Sequence, residues 1–345
     1  MKASVIVPTL NRSTLLRKAV SSITQQTFPA EQFEIIIVDN GSTDDTRRTL
    51  DELIGRHPRH KIRYVYEPEP GLLAARHRGA FEAAGELFVY VDDDVEPVPG
   101  WLAAVVAGFD DPKVQIVGGR NLPKYEIDPP AWIDSFWNST PYGGRYCWYL
   151  SLMDLGQNKL NIKPTYIWGL NFSIRRHAFY DLGGFHPECI LETLQRFDGD
   201  GENGLTMPAE ARGLMAIYEP AAIVYHFVSA SRMTPEYFER RAFLQGIRNS
   251  YTDVRRNGGP SIALWAKVRH VIRRSIRCVR RLRNGRMIAR PEERLTMKIH
   301  NRVAAADRAG FEYHQRIIRA DPRVMEWVMR PHYWDYRLPH YADKR

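Results

Sequence analysis

The chain has 345 residues, 44% of them hydrophobic, and a net charge of +9. That is enough apolar content for a full core, in one large domain or one with a smaller companion. Three widely spaced cysteines, Cys147, Cys189 and Cys278, exclude a disulfide framework or a zinc spacing, and no run of roughly 18 apolar residues is available to span a membrane. Met1 leads directly into an apolar, strand-like run without a secretory apolar region, so a reducing cytoplasm is the expected setting. The charge is unevenly placed: residues 236–345 hold 26 basic and 11 acidic side chains, a balance of +15 that leaves −6 for the part before it. The expected organisation is a catalytic domain over residues 1–235 and a basic, mainly helical region over 236–345.

In chain order, residues 4–7 form an apolar strand stopped by Pro8, and Asn11 or Ser13 is placed to cap a helix reaching about residue 25. Residues 34–38 are a second buried strand, closed by Asp39-Asn40-Gly41-Ser42, and a helix follows over about 44–54. A third strand covers 62–66. Gly71 opens a helix through about residue 84, and 87–91 is a fourth strand, apolar throughout and ending in Asp92-Asp93-Asp94. Strands alternating with helices predict a parallel α/β sheet with right-handed crossovers. Another strand is expected at 114–117. Residues 119–164 lose periodicity and read as a functional loop or lid. Order returns at 166–175, an acidic, glycine-rich stretch and a helix fill 198–212, and 214–218 and 222–226 read as two closing strands. Beyond Pro235 the pattern is helical.

The three aspartates carry the chemistry. Ligands of parallel sheets sit at the carboxyl ends of the strands, and three carboxylates there repel one another unless a cation lies between them. Oxygen donors in this pattern suit Mg²⁺ or Mn²⁺ shared with substrate phosphates. The plain alternative is a solvated acidic turn. Asp39, at the end of the second strand, can accept a hydrogen bond from a nucleobase N–H or cap the next helix in competition with Ser42 and Thr43. Arg76 sits near a helix start where free N–H groups favour a diphosphate, or is a surface arginine.

Val5-Ile6-Val7-Pro8-Thr9-Leu10-Asn11-Arg12, Ile35-Ile36-Ile37-Val38-Asp39-Asn40-Gly41-Ser42-Thr43-Asp44, the helix start over 71–79 and Val89-Tyr90-Val91-Asp92-Asp93-Asp94 together resemble family 2 glycosyltransferases. The order and spacing of the four motifs carry the resemblance, which covers roughly residues 3 to 230. It implies the GT-A fold, a Rossmann-like mixed sheet of the nucleotide-diphospho-sugar transferase type, here with a mainly helical C-terminal extension. It also implies inverting, non-processive, metal-dependent transfer of a sugar from a UDP-, GDP- or dTDP-sugar to the hydroxyl of a carbohydrate, lipid-linked or small-molecule acceptor. On that resemblance Pro8, Thr9 and Arg12 line the nucleoside pocket, Asp39 reads the base, Arg76 approaches the diphosphate and Asp92 and Asp94 form the metal-binding DxD pair, with Asp93 between them at the nucleotide sugar. His77 stands where the family often has Asn. Trp168, Gly169 and Asn171 resemble the segment beneath the donor sugar, Gly183-Gly184-Phe185 the turn after it, and His226 a third metal ligand beside Asp94 and Asp92.

The family's catalytic base is usually the Asp of a Glu-Asp pair. Here Glu202 is followed by Asn203, and an amide cannot take a proton, so the base falls to Glu202 or to Asp200, with Glu202 preferred. A nucleotide-sugar pyrophosphorylase would need a glycine-rich loop after the first strand, which Pro8-Thr9-Leu10-Asn11-Arg12 lacks. A non-catalytic nucleotide-sugar-binding scaffold has Asn203 as its support. Finally, Leu264, Trp265, Val268, Val271, Ile272, Ile276, Val279 and Leu282 recur at helical spacing with arginines between them. They predict a basic amphipathic helix over 264–283, about 30 Å long. It would lie either on an anionic membrane, at the inner face, or against the catalytic domain. No nucleic-acid-binding module is present.

Overall fold

The structure is a computed structural model that describes residues 1–188, 192–260 and 291–338. The 264–283 helix lies outside the described residues.

Every residue of β1 (Ala3–Thr9), β2 (Phe33–Asp39) and β4 (Leu87–Val91) is buried, as continuous apolar strands with both faces covered require. With β3 (Lys61–Tyr66) they form a parallel set in the order β3-β2-β1-β4. Helix α1 (Ser13–Thr24) turns Leu16, Ala19, Val20 and Ile23 inward, a three-to-four-residue stripe. Full burial of Leu16, Val20 and Ile23 contributes about 1.5–3 kcal/mol each. α2 (Thr46–Arg56) and α3 (Leu72–Glu82) make the other crossovers. β1 leads to β2 on one side while its other side takes β4, and a crevice opens at the carboxyl ends where the strand order reverses.

Pro8 does not stop β1. The pairing with β4 ends at Ile6 opposite Tyr90, whereas Pro8 still lies opposite Val38 of β2. With one flank already open, the missing N–H costs nothing. The cap of α1 also differs from the expectation. Arg12 is its N-cap residue and gives no side-chain cap. The Ser13 N–H instead donates to Asp44 Oδ2 at 3.1 Å, while Asn11 Oδ1 accepts from the N–H of Thr43 at 2.7 Å. The two loops at the crevice thus cap each other.

Beyond β4 come β5 (Val95–Pro97), α4 (Trp101–Gly108) and β6 (Val114–Tyr125), the last much longer than 114–117. The stretch expected to lack regular structure holds four short strands: β7 (Asn138–Ser139), β8 (Arg145–Cys147), β9 (Leu152–Asp154) and β10 (Leu160–Ile162). Two or three residues carry no readable period, and these strands exist through pairing with one another, with β6 and with the strand at residues 216–218. β11 (Asn171–Arg175) runs antiparallel between β4 and β6. α5 (Arg176–Asp181) and α6 (Asn203–Ala211) follow. The two expected closing strands are one, β12 (Met215–Val228), with a register shift between Glu219 and Ile223 around Pro220.

The chain forms two compact units, dividing at Arg232 and Met233. The first holds Met1–Asp128, Trp137–Arg232 and the described residues from Pro331 onward; the second holds Pro129–Phe136 and Met233–Arg330. In the second unit α7 (Pro235–Asn257) starts on the side chain of Thr234, which accepts from the Tyr237 N–H. It buries Phe238, Ala242, Ile247 and Tyr251, and packs on α8 (Pro291–Ala320), with α9 (Pro322–Met329) beside them. Among the described residues no helix is long and apolar enough to cross a membrane.

Candidate active site

The carboxyl ends of β1, β2 and β4 bring Thr9, Asp39 and the three aspartates to one crevice. Asp93 and Asp94 are about 95% buried and Asp92 is half-buried. Their carboxylates diverge. Asp93 accepts from Thr9 Oγ1 at 2.7 Å and from the Arg12 guanidinium at 2.9 Å. The same Arg12 nitrogen reaches Asp94 Oδ2 at 3.0 Å. Asp92 turns the other way and accepts from Arg76 at 3.2 Å. Burial pushes the Asp93 carboxyl up, against the pull of Arg12. Burial also works to raise Asp94, but His226, Arg232 and Arg12 outweigh it and hold that carboxyl well below the usual range. Removing one partner from such a cluster leaves a buried charge uncompensated, at a cost of about 3–5 kcal/mol.

His226 comes from the far end of β12, and its Nδ1 lies 2.9 Å from the Leu150 carbonyl. A carbonyl can only accept, so Nδ1 donates there and Nε2 is the nitrogen that faces Asp94. Nε2 lies 3.5 Å from Asp94 Oδ1. An imidazole fixed through its other nitrogen beside a carboxylate is a nitrogen–oxygen donor pair of the kind that suits Mn²⁺. The Arg232 guanidinium now bridges this pair, 2.6 Å from Asp94 Oδ2 and 2.6 Å from His226 Nε2. Among the described residues no three His, Cys, Asp or Glu side chains gather as a ready-made metal cage. A divalent ion at this donor pair would have to draw its other ligands from substrate phosphates and water.

Arg76 is the hub of the second half of the site. It is 97% buried on α3, and besides Asp92 its guanidinium lies 3.6 Å from Glu188 and 3.8 Å from Glu202. Gly169 makes room for it, since a Cβ there would collide with the Arg76 guanidinium. The Gly169 N–H points to Glu202 Oε1 at 3.5 Å. Glu202 is the N-cap residue of α6 and remains partly exposed. Asp200, by contrast, is buried with Oδ1 2.9 Å from His186 Nδ1. The two candidate bases thus have different surroundings: Glu202 is partly exposed beside Arg76, and Asp200 is held inside by a histidine.

The other predicted positions separate in the same way. Asp39 Oδ1 accepts from the Ser42 N–H at 2.8 Å and Oδ2 from the Tyr64 hydroxyl at 3.1 Å, while the start of α2 is served by Asp44. Pro8 lies buried within β1 beside Thr9. Trp168 is half-buried with its ring 5.9 Å from Tyr146. Asn171 is taken up by the sheet: it accepts from Trp101 Nε1 and donates to Asn121 and the Ala222 carbonyl. Sequence reasoning missed Arg232, Glu188, His186 and Tyr64. The first had one faint signal, an arginine six residues after a histidine at a strand end.

Residues 4–183 match the family model described as Glycosyl transferase family 2. The chain belongs to this family. Among its relatives, glycosyltransferase AglE of Haloferax volcanii is 30% identical over 188 residues, 54% of this chain and 57% of that protein. The validoxylamine A glucosyltransferase of Streptomyces hygroscopicus subsp. jinggangensis is 27% identical over 201 residues, 54% of this chain and 47% of that protein. The chain spans about half the length of these relatives. Among solved structures, the mannosyltransferase PcManGT from Pyrobaculum calidifontis in complex with GDP-Man and Mn²⁺ superposes with a TM-score of 0.52 at 19% identity, covering 100% of this chain and 88% of that one. That likeness concerns the fold, which is the family's GT-A fold with a helical C-terminal region.

Proposed function

We propose that this family 2 member is an inverting, non-processive glycosyltransferase that moves a sugar from a nucleotide-diphosphate donor to an acceptor hydroxyl. The observation that carries the reading is the Arg76 guanidinium, which stands 3.2 Å from Asp92 and 3.8 Å from Glu202. One side chain thereby ties the strand-end aspartates, where the diphosphate would sit, to the partly exposed carboxylate of Glu202, which is more exposed than the Glu188 carboxylate on the same guanidinium.

In a single displacement, the acceptor oxygen forms a bond to the anomeric carbon as the bond from that carbon to the phosphate oxygen breaks. Glu202 accepts the hydroxyl proton, and the nucleoside diphosphate leaves with the electron pair. Asp94 and His226 would hold the divalent ion, with Asp92 in reach of the donor. The ion supplies Lewis-acid neutralisation of charge on the leaving diphosphate. Arg12 and Arg232 add tethered positive charge to the same end of the crevice, where such preorganised groups act most strongly. Asp39, set by Ser42 and Tyr64, faces the nucleoside end with Pro8 and Thr9, and Trp168 with Gly169 borders the acceptor side. UDP-, GDP- and dTDP-sugars are the donors in question. The solved neighbour's complex with GDP-Man and Mn²⁺ supports including GDP-sugars with Mn²⁺ in a donor panel, and the relative named a validoxylamine A glucosyltransferase supports including glucosyl donors.

Glu202→Gln keeps the side chain's shape and removes the base. It should lower kcat by about 10²–10⁴ with donor affinity near wild type, while Asp200→Asn should act through folding or positioning. A Glu202→Gln enzyme within a few-fold of wild type would refute the assignment.

A further inference from the structure

Residues 331–338 follow the helices of the second unit yet belong to the first. They also lie far beyond the part of the chain that matches the family, which ends at residue 183. Tyr333 is fully buried and its ring is 5.3 Å from that of His186. His186 in turn holds Asp200, two residues before Glu202, and its own N–H donates to the Gly201 carbonyl at 3.0 Å. The Trp334 ring lies 4.7 Å from His77, the neighbour of Arg76 on α3. His77 Nε2 accepts from the Phe185 N–H at 3.0 Å. The Tyr336 hydroxyl donates to the Pro70 carbonyl at 2.9 Å, just before α3 begins. Gly184, with φ of +72°, has no Cβ because one there would collide with Trp334 and His77. A surface tail would need none of this: the segment touches three separate elements, and each bears on one half of the site.

We propose that residues 333–336 are a positioning strap, in which Tyr333 fixes the loop that presents Glu202 and Trp334 fixes the stretch of α3 that presents Arg76. The proposal rests on the transferase reading for its kinetic consequences and on geometry alone for its structural ones. The contacts of the two rings toward the site are with histidines. The rings act through His186 and His77, and a displacement of about 1 Å at a reacting group is enough to cost about 10²-fold in rate.

The test uses the full chain with Tyr333→Ala, Tyr333→Leu, Trp334→Ala and Trp334→Phe. Hydrogen exchange is the first readout. Tyr333→Ala should speed exchange at residues 199–206 while the amides of β1 and β4 keep wild-type protection; Tyr333→Leu should do the same should the alanine variant fold poorly. The second readout is binding of uridine and guanosine diphosphates with Mn²⁺, together with kcat. Tyr333→Ala should lower kcat about 10–100-fold with nucleotide affinity within about twofold. Trp334→Ala should weaken nucleotide binding about tenfold, and Trp334→Phe, which keeps a ring against His77, should restore most of it. Uniformly faster exchange across the first unit would make the segment mere packing and overturn the proposal, as would wild-type exchange at 199–206. The exchange result needs no turnover, so a chain that transfers no sugar would refute the enzymatic reading while leaving the strap to stand or fall on exchange alone.

Discussion

His77 makes the acid sensitivity of the first unit calculable. Its imidazole is 98% buried among Phe179, Phe185 and Trp334, whose rings lie 5.8, 6.3 and 4.7 Å away. Burial, with a smaller contribution from His186 and against the Tyr333 backbone, lowers its pKa from 6.5 to about 3. The native state therefore keeps a neutral ring whose Nε2 accepts from Phe185, whereas the unfolded chain binds a proton below pH 6.5. Because the folded pKa is the depressed one, the stability from this group is complete above pH 6.5. It is lost as the pH falls from there toward about 3, at about 1.4 kcal/mol per pH unit. Between pH 7 and pH 5 the loss is about 2 kcal/mol, a large part of the stability of an ordinary domain.

His77→Gln isolates that loss. Its side-chain oxygen can still accept from Phe185, but it binds no proton at any of these pH values. The variant should be less stable at pH 7 through lost ring packing, yet flatter with pH. The measurement is the opening free energy from the slowest amides of β1 and β4, in wild type and variant, at pH 7 and pH 5. The drop should be about 2 kcal/mol larger in wild type. Parallel pH dependences, within about 0.5 kcal/mol, would mean that the ring already gains its proton in the folded state, and the argument would fail.

Three further outcomes are expected. Asp94→Asn removes the carboxylate shared by His226, Arg232 and Arg12, and titration calorimetry should show Mn²⁺-dependent nucleotide binding lost; unchanged affinity would refute the metal assignment. Gly169→Ala places a Cβ against the Arg76 guanidinium and should lower kcat/KM by about 10²-fold with little change in thermal stability, whereas wild-type kinetics would remove Arg76 from the mechanism. If the arginine-rich stretch 264–283 lies on anionic lipid, flotation with vesicles should require acidic lipid and weaken with salt; equal flotation with neutral vesicles, or none, would leave only the packing alternative.

What the sequence made legible was local. An apolar five-residue run ending in three aspartates marks both β4 and the crevice, because a strand buried on both faces must be apolar to its last residue and then stop abruptly. Asp39 closes β2 by the same logic. The small strands over 138–162 were not legible, since their order comes from partners elsewhere in the chain. The caps at the crevice failed for a related reason: Asn11 is a good capping residue, but the loop after β2 offers it N–H groups that only the folded sheet brings near.

The same division explains the charges of the site. Three adjacent aspartates argue from sequence for a cation among them, and the fold supplies cations of its own. Arg12, 81 residues before Asp93, Arg76, 16 before Asp92, and Arg232, 138 after Asp94, each deliver a guanidinium to the cluster, Arg12 and Arg232 meeting at Asp94 Oδ2. Buried carboxylates at 5% exposure or less could not stay ionised without them. A diphosphate arriving with its metal ion brings both signs of charge, so it can exchange partners with this network rather than add to it. On the proposed reading the carboxylates would turn to the ion, and the guanidiniums they release would face the phosphates. Glu202, 3.8 Å from Arg76, would then stand beside that exchange as the proposed base for the acceptor hydroxyl.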